Sequence, residues 1–345
     1  MDEALIEVRR GSLTESRHTG SVVVMNDRGQ TVFSWGDTAR AVYPRSAVKA
    51  IQALALVESG AADHFAYSNE DLAMACASHS GEAMHADRAA AILARLGLSE
   101  ETLECGAHWP MGEIAARTMA GAHLQPSALH NNCSGKHCGF LALAVHRGYA
   151  PAGYVNADHP VQVEVRKALE EMVGVSLGAD VCGTDGCSIP TYAMPLAGVA
   201  MAFARFGTGH GLSPERGRAC ARIRAACAAA PQMVAGTGRF CTDIMRLFGE
   251  RVFVKTGAEG VFCGAFPQRG LGFALKIDDG ATRASETAAA ALMASFVTMS
   301  DRECAEFDRF RRPRLRNWRG IETGDITPAR RFAQALAAVP LPDAR

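Results

Sequence analysis

Short apolar runs separated by polar turn clusters open the chain. Ser21-Val-Val-Val-Met25 and Thr31-Val-Phe-Ser-Trp35 flank Asn26-Asp-Arg-Gly-Gln30, so residues 5–36 are predicted to form antiparallel β structure. Pro44 then precedes a stretch with helical spacing, Ser46 to about Glu58, with Val48, Ile51, Leu54 and Leu56 as its apolar positions. Ser68-Asn-Glu-Asp71 has the layout of a helix cap with an acidic third residue, which predicts a helix just after it. Helical periodicity returns over 86–97, 111–120, 137–147, 160–173, 191–206 and 215–229. The last third changes character. Val252-Phe-Val254, Gly260-Val-Phe-Cys263 and Leu271-Gly-Phe-Ala-Leu-Lys276 are β-type runs, and an Ala-rich helix follows from Glu286 to about Thr298. The Arg- and Pro-rich tail, 301–345, is expected to be peripheral. This order predicts an α+β fold: an antiparallel sheet drawn from both chain ends, with a mainly helical middle. No linker stands out, so 1–345 is read as one catalytic unit. Its softer subdivision is a sheet part from 1–60 and 250–300 and a helical part over 61–249.

Composition narrows the class. The chain has 345 residues, 36 basic against 36 acidic, and 48% apolar residues. Those are globular proportions, and a chain of this length buries a large core without staples. Zero net charge argues against a nucleic-acid partner or a polybasic membrane surface. No apolar run approaches the ~20 residues that span a bilayer. The acidic start, Met1-Asp2-Glu3, lacks a signal-peptide layout, so the expected compartment is the cytoplasm.

Eleven cysteines without a signal peptide do not suggest a disulfide scaffold. Two C-x4-C pairs, Cys133/Cys138 and Cys182/Cys187, sit among polar and small residues. Thiolates bind Zn²⁺ well, so the pairs could supply a four-thiolate site; buried, unligated thiols around a turn are the equal alternative. Lysine is rarer. Only five of the 36 basic residues are Lys: 49, 136, 167, 255 and 276. Arg stays charged, so a retained Lys matters where a neutral amine is needed. Lys49, Lys136 and Lys255 lie in small-residue or glycine-rich settings.

Three motifs could carry chemistry. Ser46-Ala-Val-Lys49 is an S-x-x-K, whose ends share one face of a helix. A neutral lysine can take the proton of a serine that is otherwise a poor nucleophile. With an ordinary lysine near 10.4, service at neutral pH needs a fall of ~3 units, about 4 kcal/mol. Alone the motif is weak, since Ser46 can be only a helix cap and Lys49 only a solvated side chain. Lys255-Thr-Gly257 follows a predicted strand, and an early S-x-x-K with a late K-T-G is the arrangement of serine β-lactamases and penicillin-binding proteins. The middle element of that scaffold is not plain; the nearest polar stretch is Ser78-His-Ser-Gly-Glu82. Asn131-Asn-Cys-Ser-Gly-Lys-His-Cys138 is too polar for a core element yet leads into a helix.

In their order, Ser46-Ala-Val-Lys49, Ser78-His-Ser-Gly-Glu82, Asn131-Asn-Cys-Ser-Gly-Lys136, Cys182-Gly-Thr-Asp-Gly-Cys187 and Lys255-Thr-Gly-Ala-Glu-Gly260 resemble the rhizobial-type L-asparaginases, the asparaginase II family. The resemblance runs from about Val8 to Ala290, and five separate motifs make it far more specific than any one. It implies a serine β-lactamase/glutaminase-like fold, a homodimer, and hydrolysis of L-asparagine to L-aspartate and ammonia. It also implies two couples in one pocket, Ser46–Lys49 and Ser78–Lys255. A zinc site beside them would be held by Cys133, Lys136 and Cys187, leaving Cys138 and Cys182 as bystanders. Lys is an unusual ligand because it must first lose its proton. Arg45 resembles the residue that holds a substrate carboxylate, and Asp185 the acid beside the metal that meets the substrate's amino or amide end.

The mechanism this implies has Lys49 deprotonating Ser46, Ser46 attacking the side-chain amide, and Ser78, tuned by Lys255, passing a proton to the leaving ammonia. Water then hydrolyses the aspartyl ester. Two lysines in one pocket repel each other's charge, so activity is expected to rise toward alkaline pH. A glutaminase or β-lactamase-like acyl hydrolase would share this logic. A catalytically inactive zinc-containing binding protein would keep the metal without hydrolysis. A redox protein is disfavoured by the absence of C-x-x-C.

Overall fold

The structure is a computed structural model that describes residues 4–340. Its strands, in chain order, are β1 Ala4–Arg10, β2 Leu13–Asn26, β3 Thr31–Trp35, β4 Ala41–Val42, β5 Cys182–Thr184 and β6 Pro190–Tyr192. They continue with β7 Met194–Pro195, β8 Phe253–Thr256, β9 Val261–Phe266, β10 Leu271–Ile277, β11 Arg314–Arg316 and β12 Glu322–Pro328. The chain divides into two compact units. One comprises Met1–Ala47, Met194–Thr208 and Val254–Arg345; the other comprises Val48–Ala193 and Gly209–Phe253.

The first unit is built on one sheet in the order β11-β12-β1-β2-β10-β9-β8, with β3 also paired to β2. The registers of β1 with β2 and β12, of β2 with β3 and β10, and of β10 with β9 are all antiparallel. The long β2 is what joins the two chain ends. Its first half pairs with β1 (Glu7 opposite Arg17), and its second half pairs with β10 (Phe273 opposite Val24). The turn at 26–30 forms as expected: Asn26 Oδ1 accepts the backbone N–H groups of Arg28 and Gln30, at 3.1 and 2.9 Å.

Two helices cover this sheet. Leu196–Thr208 lies against β10 so closely that a Cβ at Gly272 would stand 2.1 Å from the Ala204 nitrogen and 2.3 Å from the Ala200 carbonyl oxygen. The neighbouring residue Phe273 projects to the opposite face, as successive strand residues must. There it stacks on Phe266 at 5.3 Å, and Phe266 stacks on Phe296 of the helix Thr282–Phe296 at 6.2 Å.

The tail departs from expectation. Instead of being peripheral it supplies β12, which extends the sheet beside β1 with Val8 opposite Ile326. The helix Arg330–Ala337 then buries Phe332, whose ring meets Trp35 edge-on at 5.4 Å. Apolar residues are sparse in this Arg-rich stretch, but Phe307, Ile326, Ala329, Phe332 and Leu336 are buried.

The second unit is helical, with only the small β5–β6 hairpin. Its range differs from the expected 61–249, because it begins at Val48 and releases 194–208 to the sheet unit. The helix Ser134–Arg147 forms its centre and is buried continuously from Ser134 to Ala144. Ser68 caps the helix Asn69–Ala75 as predicted: its hydroxyl accepts from Asp71 N–H, and Asp71 accepts from Ser68 N–H at 2.9 Å. The expected helix from Ser46 is instead broken into a 3₁₀ turn, Arg45–Val48, then Lys49–Gln52, then Leu54–Glu58.

Gly272→Ala is expected to destabilise the protein by roughly 3 kcal/mol, the upper end for overpacking, because the added methyl meets backbone that cannot rotate away. Urea unfolding measures it. A midpoint equal to the parent's would contradict the close helix–sheet contact.

Candidate active site

Lys49 opens the helix Lys49–Gln52, one turn after Ser46, and its side chain is 1% exposed. A buried amine must satisfy its hydrogen-bonding groups or pay a large desolvation cost. Lys49 Nζ has three partners: Ala77 O at 2.5 Å, Ser78 Oγ at 3.1 Å and Cys133 Sγ at 3.0 Å. The contact with Ser78 is not among the couples that the sequence implies. It has a chemical consequence. A charged amine donates three hydrogen bonds; a neutral one donates two and accepts one. The three contacts match the three N–H donors of the charged amine, with the Ser78 hydroxyl as one acceptor.

Ser78 is held by its surroundings. It follows the helix Asn69–Ala75, and its backbone N–H donates to Val234 O at 2.9 Å. Next to it, His79 is completely buried. Gly81 N–H donates to His79 Nδ1 at 3.1 Å, so the imidazole carries its proton on Nε2. That Nε2–H donates to Ser134 Oγ at 2.9 Å, and the Ser134 hydroxyl passes the chain on to Leu129 O. His79 stacks at 4.7 Å on His85, which accepts from Glu82 N–H and donates to Gln232 O. Burial first, then the neighbouring His85 and Lys49, hold His79 well below the ordinary histidine range. Burial likewise lowers His85 and His137.

Cys133 is brought to Lys49 by two local devices. Asn131 Oδ1 accepts from Cys133 N–H at 2.8 Å, while its amide donates to the Cys105 and Gly106 carbonyls. Gly135 then lets the helix start touch the neighbouring chain: a Cβ there would lie 2.3 Å from Met74 O. No other residue would allow the Cys133–Lys136 turn to approach the segment that leads to Ser78 so closely.

Lys136 and Cys187 complete the cluster. Lys136 Nζ lies 2.9 Å from Cys187 Sγ, both side chains being buried. Cys187 sits in the turn between β5 and β6, where half-buried Asp185 accepts from its backbone N–H at 3.3 Å and lies 3.5 Å from its sulfur. The Cys187 thiol donates to Cys133, and with the charges of Lys136 and Lys49 this holds Cys133 well below the usual thiol range despite burial. Cys187 is correspondingly pushed up, by donating to Cys133 and by burial. Burial alone would lower Lys136; the Cys133 and Cys187 sulfurs and the Asp185 carboxylate outweigh it and raise it.

The four-thiolate site that two C-x4-C pairs could form is not assembled. Among the described residues no three His, Cys, Asp or Glu side chains gather as a metal-binding group. Cys138 turns from the cluster toward Ala89 O at 3.6 Å, because it lies further along the buried helix, and Cys182 faces its own strand at Gly183 O. Cys105, beside Asn131, is pushed up to about 12 by burial and so stays a thiol.

The remaining sequence-predicted residues belong to the sheet unit. Ser46 is half-buried in the 3₁₀ turn Arg45–Val48. Arg45, also half-buried, adopts φ +52°, a left-handed conformation that is uncommon for a side-chain-bearing residue. Lys255 on β8 is 1% exposed, and its amine donates to Thr256 O at 2.8 Å. The glycine of Lys255-Thr-Gly257 explains the motif's end. A Cβ there would lie 2.7 Å from Pro44 O and 3.3 Å from Ala47 Cβ, so the K-T-G strand abuts the turn that carries Ser46. No helix among the described residues is long and apolar enough to cross a membrane.

The geometry can be set beside known proteins. A β-lactamase from Mycobacterium bovis is 14% identical, over 80% of this chain and 94% of its own, with a TM-score of 0.43. A D-alanine carboxypeptidase from Burkholderia cenocepacia is 11% identical, over 77% of this chain and 90% of its own, with a TM-score of 0.38. No match was found among curated proteins. The model of the L-asparaginase II family matches residues 6–328, a span that takes in the Arg-rich tail as far as β12. With nearly its whole length matched, the chain belongs to the L-asparaginase II family and is an amidohydrolase.

Proposed function

We propose that this amidohydrolase converts L-asparagine to L-aspartate and ammonia through a serine acyl-enzyme. The observation that carries the proposal is the 3.1 Å contact of buried Lys49 Nζ with Ser78 Oγ, in a chain whose S-x-x-K also places Ser46 one turn before the same lysine. Ser46 acts as nucleophile and Lys49 takes its proton. Ser78 relays that proton to the leaving amine, with Lys255 as the second amine of the resemblance. Arg45 and Asp185 hold the two polar ends of the substrate. The amide C–N bond breaks as the ester forms, ammonia leaves with the relayed proton, and water cleaves the ester to release aspartate.

Zinc belongs to the same proposal. Two buried sulfurs and an amine converge in Cys133, Lys136 and Cys187, and the preference of Cys133 for the thiolate suits a thiophilic cation. The neighbouring sulfurs and Asp185 raise Lys136, so a bound ion would have to displace its proton. When bound, zinc would supply a fixed positive charge beside Asp185.

Purified protein should release ammonia from L-asparagine, and Ser46→Ala and Lys49→Ala should each lose about 10³-fold or more in kcat, as removal of a nucleophile or its base does. Retention of most kcat by Ser46→Ala, with loss in Ser78→Ala, would exchange the roles of the two serines. Faster turnover of glutamine or of a chromogenic β-lactam would replace the substrate. Elemental analysis should find stoichiometric zinc in the parent and less in Cys133→Ser and Cys187→Ser; equal zinc in all three would remove these ligands.

The pH dependence of stability follows from the histidines. His79, His85 and His137 have folded-state values below the ordinary 6.5. Below that value the unfolded chain takes up protons that the native chain refuses, so their stability is fully present above about 6.5 and is lost as pH falls. Each contributes a slope of up to about 1.4 kcal/mol per pH unit. Urea unfolding from pH 7.5 to 5 should show the loss; a flat profile would contradict the neutral, buried imidazoles.

A further inference from the structure

The segment Val234–Thr237 is assigned no role by the motifs, yet it runs beside Ser78–Glu82 and is bonded to it at every second step. Ser78 N–H donates to Val234 O at 2.9 Å. Ser80 Oγ donates to Ala235 O at 2.9 Å. At the end, both oxygens of Glu82 are taken by Thr237: Oε1 accepts from its backbone N–H at 2.8 Å, and Oε2 from its hydroxyl at 2.7 Å. Between these bonds lies Gly236, at φ +114°, where a Cβ would stand 2.5 Å from both Ser80 Oγ and Glu82 Oε1. The two segments therefore close without room for a side chain.

Val234 and Ala235 are buried, but the outer end of the closure has little packing to rely on. Thr237 is exposed, and Glu82 and Thr237 line an open cavity of about 970 Å³ whose other walls include Ala86, Ile114 and Leu129. On that side, hydrogen bonds rather than buried apolar area hold Thr237 to Glu82. A carboxylate that accepts two bonds from one residue fixes orientation as well as distance. Glu82 also precedes the helix Ala83–Arg95, whose His85 accepts from the Glu82 N–H, so one end of the clasp is anchored in a helix.

We infer that Glu82 and Thr237 are positioning residues for the reaction: their paired hydrogen bonds close the 234–237 segment onto the Ser78 loop and so keep Ser78 Oγ within reach of Lys49. This rests on the serine–lysine chemistry proposed above. Neither residue is assigned contact with substrate. Loosening the clasp should cost turnover rather than substrate binding, because a misplaced proton relay is felt mainly in the transition state.

The test has one arm that depends on activity and one that does not. Thr237→Val removes the hydroxyl and keeps the N–H, while Glu82→Ala removes both acceptors. Each should lower kcat on L-asparagine about tenfold with KM changed less than about twofold. Thr237→Ser and Glu82→Gln keep the bonding pattern, since the Gln amide can accept from the Thr237 N–H and donate to its hydroxyl, and both should return to near the parent. Independently, hydrogen exchange at the Ser78 amide, the one bonded to Val234 O, should quicken about tenfold in Glu82→Ala while the buried helix Ser134–Arg147 keeps its protection. Unchanged exchange at Ser78 in Glu82→Ala overturns the clasp. Quickened exchange with kcat unchanged overturns its catalytic role. A parent that hydrolyses no asparagine overturns the functional proposal instead, and the exchange result still decides the clasp.

Discussion

A lysine amine with 1% exposure is the constraint on which the helical unit depends. Leaving such a group without partners costs several kcal/mol, so the fold must bring acceptors to it. Three arrive from two stretches of chain: the Ala77 carbonyl and the adjoining Ser78 hydroxyl from one, and the Cys133 sulfur from the other. Because those partners come from residues 28, 29 and 84 positions away, one side chain fixes the relation of the Ser78 loop to the Cys133 turn. The serine and the sulfur cluster are thereby two parts of one buried polar network rather than neighbouring sites.

The surrounding residues serve that network by removing freedom. Asn131 bonds backbone with both ends of its side chain, accepting from Cys133 and donating to the Cys105 and Gly106 carbonyls. Gly135 lets the central helix press against Met74, and His79 ties the Ser78 loop to Ser134 at the start of that helix. Such networks stabilise only when every member is satisfied. The neutral tautomer of His79 meets this condition, with Nδ1 accepting and Nε2 donating. Protonation would turn that acceptor into a second donor facing Gly81 N–H, and burial, then His85 and Lys49, oppose it as well.

Much of the architecture was legible in the sequence. The turn at Asn26–Gln30, the Ser68 cap and the helix Pro160–Val173 follow from local rules, and all form at or within a residue of the expected place. The tail was not legible, because its few buried apolar residues, such as Phe307, Ile326 and Phe332, are hidden among arginines whose charge reads as surface. The spacing of the cysteines suggested four thiolates and only the family resemblance pointed to Cys133, Lys136 and Cys187; the structure brings these three side chains together, with Asp185 beside Cys187. The link from Lys49 to Ser78 could not be read, since it joins residues 29 positions apart through tertiary packing rather than through spacing along the chain. The 234–237 segment was equally silent. Its one signal is Gly236, and a glycine in Val-Ala-Gly-Thr-Gly is indistinguishable from an ordinary turn until its φ and its neighbours are known.

The most direct test of the account is to trap the acyl-enzyme. Protein mixed with L-asparagine is quenched in acid, digested and mapped by mass spectrometry, with Lys49→Met, which keeps the length and apolar stem of the side chain, alongside. An aspartyl ester on the Ser46 or the Ser78 peptide of the parent, absent from a folded Lys49→Met protein, is the predicted result. An ester that forms in Lys49→Met at the parent's rate would contradict the claim that this amine activates the serine.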